Sequence, residues 1–245
     1  MSRWQLSRQL PPPACEAFAT LEKVFALEGE PIARDPLSEV IRVTVGGERY
    51  YVKRYHAAGK GLRRMLGRPR VKGEWQNLRF FQGLGIPVAL VVAWGLERYV
   101  GLFGRGAMIT LEVPNTLDLA TMARNDDPRL ADRAWVEGIS RQVAQATRTL
   151  HAHRFAHNDL KWRNLLVNDR SELFLIDCPT GGFWWGPFLR RRIVKDLACL
   201  DKLAKQRLSR TQRLRFFLHY QGRDHLVPED KPFIDRILRY FEGRE

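Results

Sequence analysis

The chain has 245 residues, enough for one large domain or two smaller ones, and its 44% hydrophobic content supports a packed core and excludes a disordered chain. No apolar run approaches the roughly 20 residues of a membrane-spanning helix, and Cys15, Cys178 and Cys199 are too widely spaced for a CxxC zinc site or a disulfide framework, which fits a reduced compartment. A net charge of +14 calls for an anionic partner (nucleotide, nucleic acid, phospholipid surface or phosphorylated glycan), with part of the arginine excess attributable to compositional bias.

Met1 to Leu6 lacks the apolar stretch of a signal peptide, so the expected location is cytoplasmic, soluble or peripheral on a membrane. Pro11-Pro12-Pro13 predicts a stiff extended piece. Strand signals follow: Val24 to Ala33; then Val40 to Val45, β-branched and alternating; then a Gly46-Gly47 hairpin turn and Tyr50 to Tyr55. A basic loop carries Lys60, Arg63, Arg64, Arg68, Arg70 and Lys72, and the reading weighted towards it is a solvated charge run. Gly73 to Phe81 reads as a helix ended by Gly85-Ile86-Pro87, and Val88 to Trp94 and Ala107 to Val113 read as two more strands. Pro114 suits a hinge, which divides the chain into residues 1–113 and residues 114–245. Beyond it the pattern turns helical. Ala131 to Phe155 carries Trp135, Ile139, Val143 and Leu150 near one stripe; the text is irregular from Asp177 to Ile193; Val194 to Leu203, Arg210 to Tyr220 and Phe233 to Phe241 read as helices.

The chemistry concentrates at His157-Asn158-Asp159-Leu160-Lys161-Trp162-Arg163-Asn164, followed by the apolar Leu165 to Val167 and by Leu173-Phe174-Leu175-Ile176-Asp177. Phosphoryl transfer from a nucleotide requires a carboxylate to take the proton of the attacking hydroxyl, and a second carboxylate with an amide to hold the Mg2+ that bridges the phosphates. Asp159 fits the first role, Asn164 and Asp177 the others, and Lys161 would offset charge on the γ-phosphate. An ordinary turn with Asp and Asn at its ends leaves the second Asp, at the end of a buried strand, unexplained. The order of three strands, one helix and two strands before the loop is that of a kinase small lobe, so the expected fold is α+β, protein-kinase-like and two-lobed. Residues 1–113 would be the nucleotide-binding lobe and residues 114–245 a larger, mainly helical lobe for catalysis and acceptor binding.

Lys53 stands on the third strand, where kinases hold the α- and β-phosphates, and Glu74 on the next helix is its expected ion partner, with Leu78 packed behind the pair. Glu112 and Val113, just before the hinge, are candidate nucleotide-binding positions. Between the first two strands there is no G-x-G-x-x-G, only Gly29 and the turn Arg34-Asp35-Pro36-Leu37-Ser38, so the phosphates need cover from other amides or from Arg34. Asn158 stands where many kinases have the arginine that senses activation-loop phosphorylation, and Pro179 after Asp177-Cys178 disfavours a flip of that Asp; a constitutively assembled site is expected. Asp196 is the candidate acceptor for the backbone of the Asp159 loop, the alternative being a helix N-terminal charge. The short Asp177 to Asp196 interval lacks an Ala-Pro-Glu element and favours a non-peptide acceptor. Within it, Phe183, Trp184 and Trp185 beside Arg190-Arg191-Arg192 suit a membrane interface, sugar stacking or plain packing.

From about Val40 to Tyr220 the sequence resembles the bacterial lipopolysaccharide core kinases, the group of the inner-core heptose kinases and Kdo kinases. The resemblance rests on Tyr51-Val52-Lys53-Arg54-Tyr55, Glu74-Trp75 with Gly85-Ile86-Pro87, the Asp159 loop, Ile176-Asp177 and Lys195-Asp196-Leu197-Ala198. It implies an ATP- and Mg2+-dependent kinase of a sugar hydroxyl in the lipid A–core, working on the cytoplasmic face of the inner membrane with peripheral contact to anionic lipid, and no nucleic-acid partner. It also implies that Lys53 and Glu74 anchor ATP, Asp159 is the base, and Asn164 and Asp177 bind the metal. A protein Ser/Thr kinase, a kinase-like ATP-binding protein without turnover, and a nucleic-acid binder driven only by charge are the competing readings.

Overall fold

The computed structural model describes residues 2–58 and 68–243. It divides into two compact units, Met1–Phe80 with Val88–Val113, and Phe81–Pro87 with Pro114–Glu245. Both mix helix and strand.

The first unit is built on a six-stranded antiparallel sheet. Strand β1 (Ser2–Leu6), which the sequence pattern did not mark, pairs with β5 and forms one edge. The expected strand from Val24 to Ala33 is instead two elements preceded by a third. Helix α1 (Pro12–Ala17) starts on the prolines, because proline's fixed φ and missing N–H suit the first helical turn; the extended reading of Pro11 to Pro13 is corrected accordingly. Helix α2 (Leu21–Ala26) is capped by the Thr20 hydroxyl, which accepts from Lys23 N at 3.2 Å. Leu21 and Val24, three apart, bury together on that helix, and this burial overrides the strand propensity of Val24. Only Glu30–Arg34 is strand β2, a fully exposed edge.

Strands β3 (Ser38–Val45) and β4 (Glu48–Tyr55) pair through the Gly46-Gly47 turn with Lys53 opposite Val40. Helix α3 (Arg70–Gly83) is longer than the predicted Gly73 to Phe81 and takes in Arg70 and Lys72 of the basic stretch; Lys60, Arg63 and Arg64 lie outside the described residues. Strands β5 (Val91–Tyr99) and β6 (Leu102–Leu111) form a hairpin reaching beyond both predicted segments, closed at Val100-Gly101 and braced by Arg105 on Glu97 at 2.8 Å. The sheet order is β1-β5-β6-β4-β3-β2, and its core gathers Phe18, Leu21, Tyr50, Val52 and Ile109.

In the second unit, β7 (Thr116–Asp118) leads into α4 (Leu119–Arg124), and α5 (Arg133–Ala152), capped by Asp132, buries Ile139, Val143 and Leu150. Strand β8 (Phe155–Ala156) delivers the chain to His157; β9 (Leu165–Asn168) and β10 (Leu173–Leu175) form the hairpin that ends just before Asp177, and β11 (Gly182–Phe183) pairs back on β8. Helix α6 (Gly186–Arg207) begins seven residues before the predicted boundary at Ile193. Gly186-Pro187, within the stretch that read as irregular, is a start signal: the proline occupies the first turn. Helices α7 (Arg210–Gln221), opened by a Ser209–Gln212 capping box, and α8 (Asp230–Leu238) complete the unit. An apolar cavity of about 540 Å³ lies among α5, α6, α7 and α8, lined by Ile139, Leu197, Phe217 and Ile237. Among the described residues no helix is long and apolar enough to cross a membrane.

Candidate active site

The catalytic-loop sequence folds into a short connection anchored on α6. Asp196, wholly buried, accepts from His157 N at 2.7 Å with one carboxylate oxygen and from Asn158 N at 2.8 Å with the other. It lies in the middle of α6, so the alternative of a helix N-terminal charge is excluded. His151 Nε2 is 3.4 Å from the same carboxylate and its Nδ1 is 2.9 Å from the Tyr220 hydroxyl, which ties α5, α6 and α7 to the loop. Trp162 donates its indole N–H to Leu200 O at 3.0 Å and fixes the far end of the loop on α6.

These anchors set the candidate groups. The Asp159 carboxylate lies 2.6 Å from Lys161 Nζ and 3.4 Å from Arg163. Its main-chain carbonyl accepts from Asn164 Nδ2 at 2.8 Å, which commits the amide nitrogen and leaves Asn164 to act through its oxygen. Asn164 O in turn accepts from Ile176 N at 3.0 Å, so Asn164 and the residue preceding Asp177 are joined directly. Asp159, Lys161, Asn164 and Asp177 are thus held in one neighbourhood of the second unit. Asn158 and Asp177 both have left-handed backbones, at φ 67° and 57°, which short polar side chains tolerate and which cluster where a loop must aim a functional group.

Burial drives the Asp159 carboxyl upward, but hydrogen bonding to Lys161 and the charges of Lys161 and Arg163 outweigh it and hold the group below its ordinary 3.8. Burial holds His157 below its ordinary 6.5, against the pull of Asp196, Asp177 and Asp159. Its ring nitrogens have no hydrogen-bond partner and its ring stacks on Phe81 at 5.9 Å, so it works as a neutral packing wedge and not as an acid. The Cys199 thiol is pushed up to about 11 by burial, which removes it as a nucleophile at neutral pH.

The interval after Asp177 is locked in ways the sequence did not disclose. Asn158 donates its amide to Thr180 O at 2.9 Å and accepts from Arg192 at 3.2 Å, and Arg192 lies over the Trp184 ring at 4.4 Å. Of the Arg190-Arg191-Arg192 triplet, the third is therefore half-buried and turned to the catalytic loop. Gly181 is required by close approach: a β-carbon there would stand 2.4 Å from Cys178 Sγ and 2.7 Å from Phe155. The adjacent Gly181-Gly182 pair was the available signal.

In the first unit Lys53 Nζ lies 2.9 Å from Glu74, with side-chain exposures of 14% and 3%, and the Tyr55 hydroxyl also donates to the Glu74 carboxylate. Leu78 is buried on the same helix. Glu112 is placed apart from this pair. Its carboxylate is engaged by Arg49 at 2.8 Å and Arg42 at 3.6 Å, and its N–H donates to Arg49 O. The β2–β3 turn offers little to a phosphate. The Asp35 carboxylate takes the N–H groups of Leu37 at 2.7 Å and Ser38 at 2.9 Å. Gly29 is explained by packing, since a β-carbon there would lie 2.4 Å from Arg42 O.

Chemically the second-unit cluster joins an ionised carboxylate beside an ammonium to a carboxylate–amide pair. One carboxylate and one amide oxygen suit Mg2+, which takes few protein ligands and fills its octahedron with phosphate and water. Among the described residues no group of three or more His, Cys, Asp or Glu forms a metal cage.

A profile of the lipopolysaccharide kinase (Kdo/WaaP) family matches residues 26–220. No curated protein matches the sequence. Among solved structures, the chain is similar to one described as "WaaP in complex with acyl carrier protein", with a TM-score of 0.73, 24% identity and 97% of each chain covered, a likeness that establishes the fold.

Proposed function

Because the chain belongs to the lipopolysaccharide kinase (Kdo/WaaP) family, we propose that it is an ATP- and Mg2+-dependent kinase that phosphorylates a sugar hydroxyl, of heptose or Kdo, in the lipopolysaccharide inner core. In this reading residues 1–113 are the nucleotide-binding lobe and residues 114–245 the catalytic and acceptor lobe of a protein-kinase-like enzyme. The observation that carries it is the Asp159–Lys161–Asn164 loop, suspended from Asp196 and hydrogen-bonded to the strand end before Asp177.

Each residue then has one task. Asp159 orients the sugar hydroxyl and takes its proton as the oxygen–phosphorus bond forms; a weak base suffices, because a loose phosphoryl transition state calls for the proton late. Lys161 holds that carboxylate ionised and offsets charge on the transferring phosphoryl group. Lys53, oriented by Glu74, holds the α- and β-phosphates. Asn164 and Asp177 would hold Mg2+, which when bound neutralises the bridging phosphate oxygens. The short interval from Asp177 to Asp196, filled by β11 and the start of α6, supports a glycan over a peptide acceptor. The same reading places the enzyme at the cytoplasmic face of the inner membrane, and the neighbour's complex makes an acyl carrier protein a partner to test.

The decisive assay is transfer of label from γ-labelled ATP to deacylated core oligosaccharide with and without Mg2+. Metal-dependent labelling of glycan is expected; labelling of protein alone would establish a protein kinase, and Mg-ATP binding without turnover on any glycan would establish a kinase-like binding protein. Mass spectrometry of core oligosaccharide from a deletion strain would name the sugar by its missing phosphate.

Lys161→Ala should move the acid limb of the rate–pH profile upward. The proton-accepting form of Asp159 exists above its folded pKa and is lost as pH falls through it. Without the ammonium, burial raises that pKa, so rate is lost at a higher pH than in the wild type. An unmoved limb would show that Lys161 does not set the charge of Asp159.

A further inference from the structure

We infer that Phe183, Trp185 and Phe188, with Arg190 and Arg191, form a docking face for an anionic lipid bilayer. This deepens the proposed function and rests on it, since the acceptor it names is the headgroup of a glycolipid. Phe183 is 48% exposed, Trp185 60% and Phe188 70%, three large rings turned to solvent within six residues, while Trp184 between them is drawn inward under Arg192. Arg190 and Arg191 are exposed on the next turn of α6.

The rings are presented on a fixed base. Phe183 pairs with Phe155 across β11 and β8, the two rings meet in a T-shaped contact with centroids 5.4 Å apart, and Trp184 N donates to Arg154 O at 2.9 Å. A surface ordered in advance loses little conformational entropy when it binds. From Cys178 to Lys195 the chain has no acidic residue, so Arg190 and Arg191 have no counter-charge within their own segment. Aromatic side chains settle at headgroup depth and arginine pairs with lipid phosphate, which is the combination displayed here. Exposed rings flanked by exposed arginines favour the soft, anionic boundary of a bilayer. Strand β8, the support of Phe183, runs straight into His157 and the Asp159 loop, so the face and the base share one rigid connection.

Full-length protein sedimented with phosphatidylethanolamine vesicles should pellet when phosphatidylglycerol is included, and less so as salt is raised. The double variants W185S/F188S and R190E/R191E should each bind these vesicles about tenfold or more weakly. Both should phosphorylate soluble deacylated core oligosaccharide at the wild-type rate and lose rate on the same acceptor embedded in vesicles. Wild-type-like vesicle binding by both variants, or no vesicle binding by the wild type, would overturn the docking face. Loss of binding to a carrier protein with vesicle binding intact would overturn it too, in favour of a protein partner. If the wild type fails on soluble glycan while vesicle binding still depends on these four residues, the docking face stands and the glycan-kinase reading falls.

Discussion

Replacing Asp159 by asparagine is expected to lower the phosphotransfer rate by about 10²–10⁴-fold, the range that a general base contributes, with the fold unchanged. The substitution keeps an oxygen for Lys161 and removes only the capacity to take a proton and the negative charge. Little stability is at stake. The ion pairs of Asp159 are with side chains that are 45% and 61% exposed, and pairs of that kind contribute little once solvent screens them. The measurement is initial rates on core oligosaccharide from γ-labelled ATP, with circular dichroism as the control for fold. A rate within a few-fold of wild type would remove Asp159 from the role of base and leave it an orienting group at most.

Asp196→Ala should destabilise the second unit severely. It strips two buried N–H groups, those of His157 and Asn158, of their acceptor and takes a partner from His151. At about 1–3 kcal/mol for each buried donor left unsatisfied, the loss is roughly 2–6 kcal/mol, and the melting transition should fall by on the order of 10 °C. Asp196→Asn, which retains one acceptor oxygen, should fall by less. Both variants should also lose activity, because the backbone that aims Asp159 is no longer suspended. Calorimetry decides: an alanine variant as stable as the wild type would mean that the loop finds its hydrogen bonds elsewhere.

The interval after Asp177 joins these two predictions. In a kinase controlled by its activation loop, the catalytic loop carries a cation that waits for a phosphate. Here the same position is Asn158, already bonded to Thr180 O and to Arg192, and Gly181 allows Cys178 and Phe155 to close over the chain. Under the proposed function these contacts predict a kinase active without phosphorylation of this segment, and a requirement for prior phosphorylation would count against it.

What the sequence determined by itself was local structure carried by short, contiguous spacing. The Asp159–Asn164 loop, the hairpin ending before Asp177 and the Lys53 strand followed by the Glu74 helix were legible because each depends on local period and order along the chain. The role of Asp196 was also legible, as a buried acid at a fixed place on a helix. The sequence misjudged elements whose identity depends on what they pack against. Val24 is β-branched yet helical, because Leu21 and Val24 share one buried face; the stretch from Gly186 to Ile193, read as irregular, is the start of a helix opened by Gly186-Pro187. Only the tertiary structure decided which cations meet which partners. Arg192 is turned inward to Asn158 while Arg190 and Arg191 stay in solvent, and Glu112 is held by Arg49 and Arg42. The physical reason is range. Periodicity and caps act over a few residues, whereas a hydrogen bond across 34 residues, such as Arg192 to Asn158, exists only once the chain has folded and brought both ends to one place.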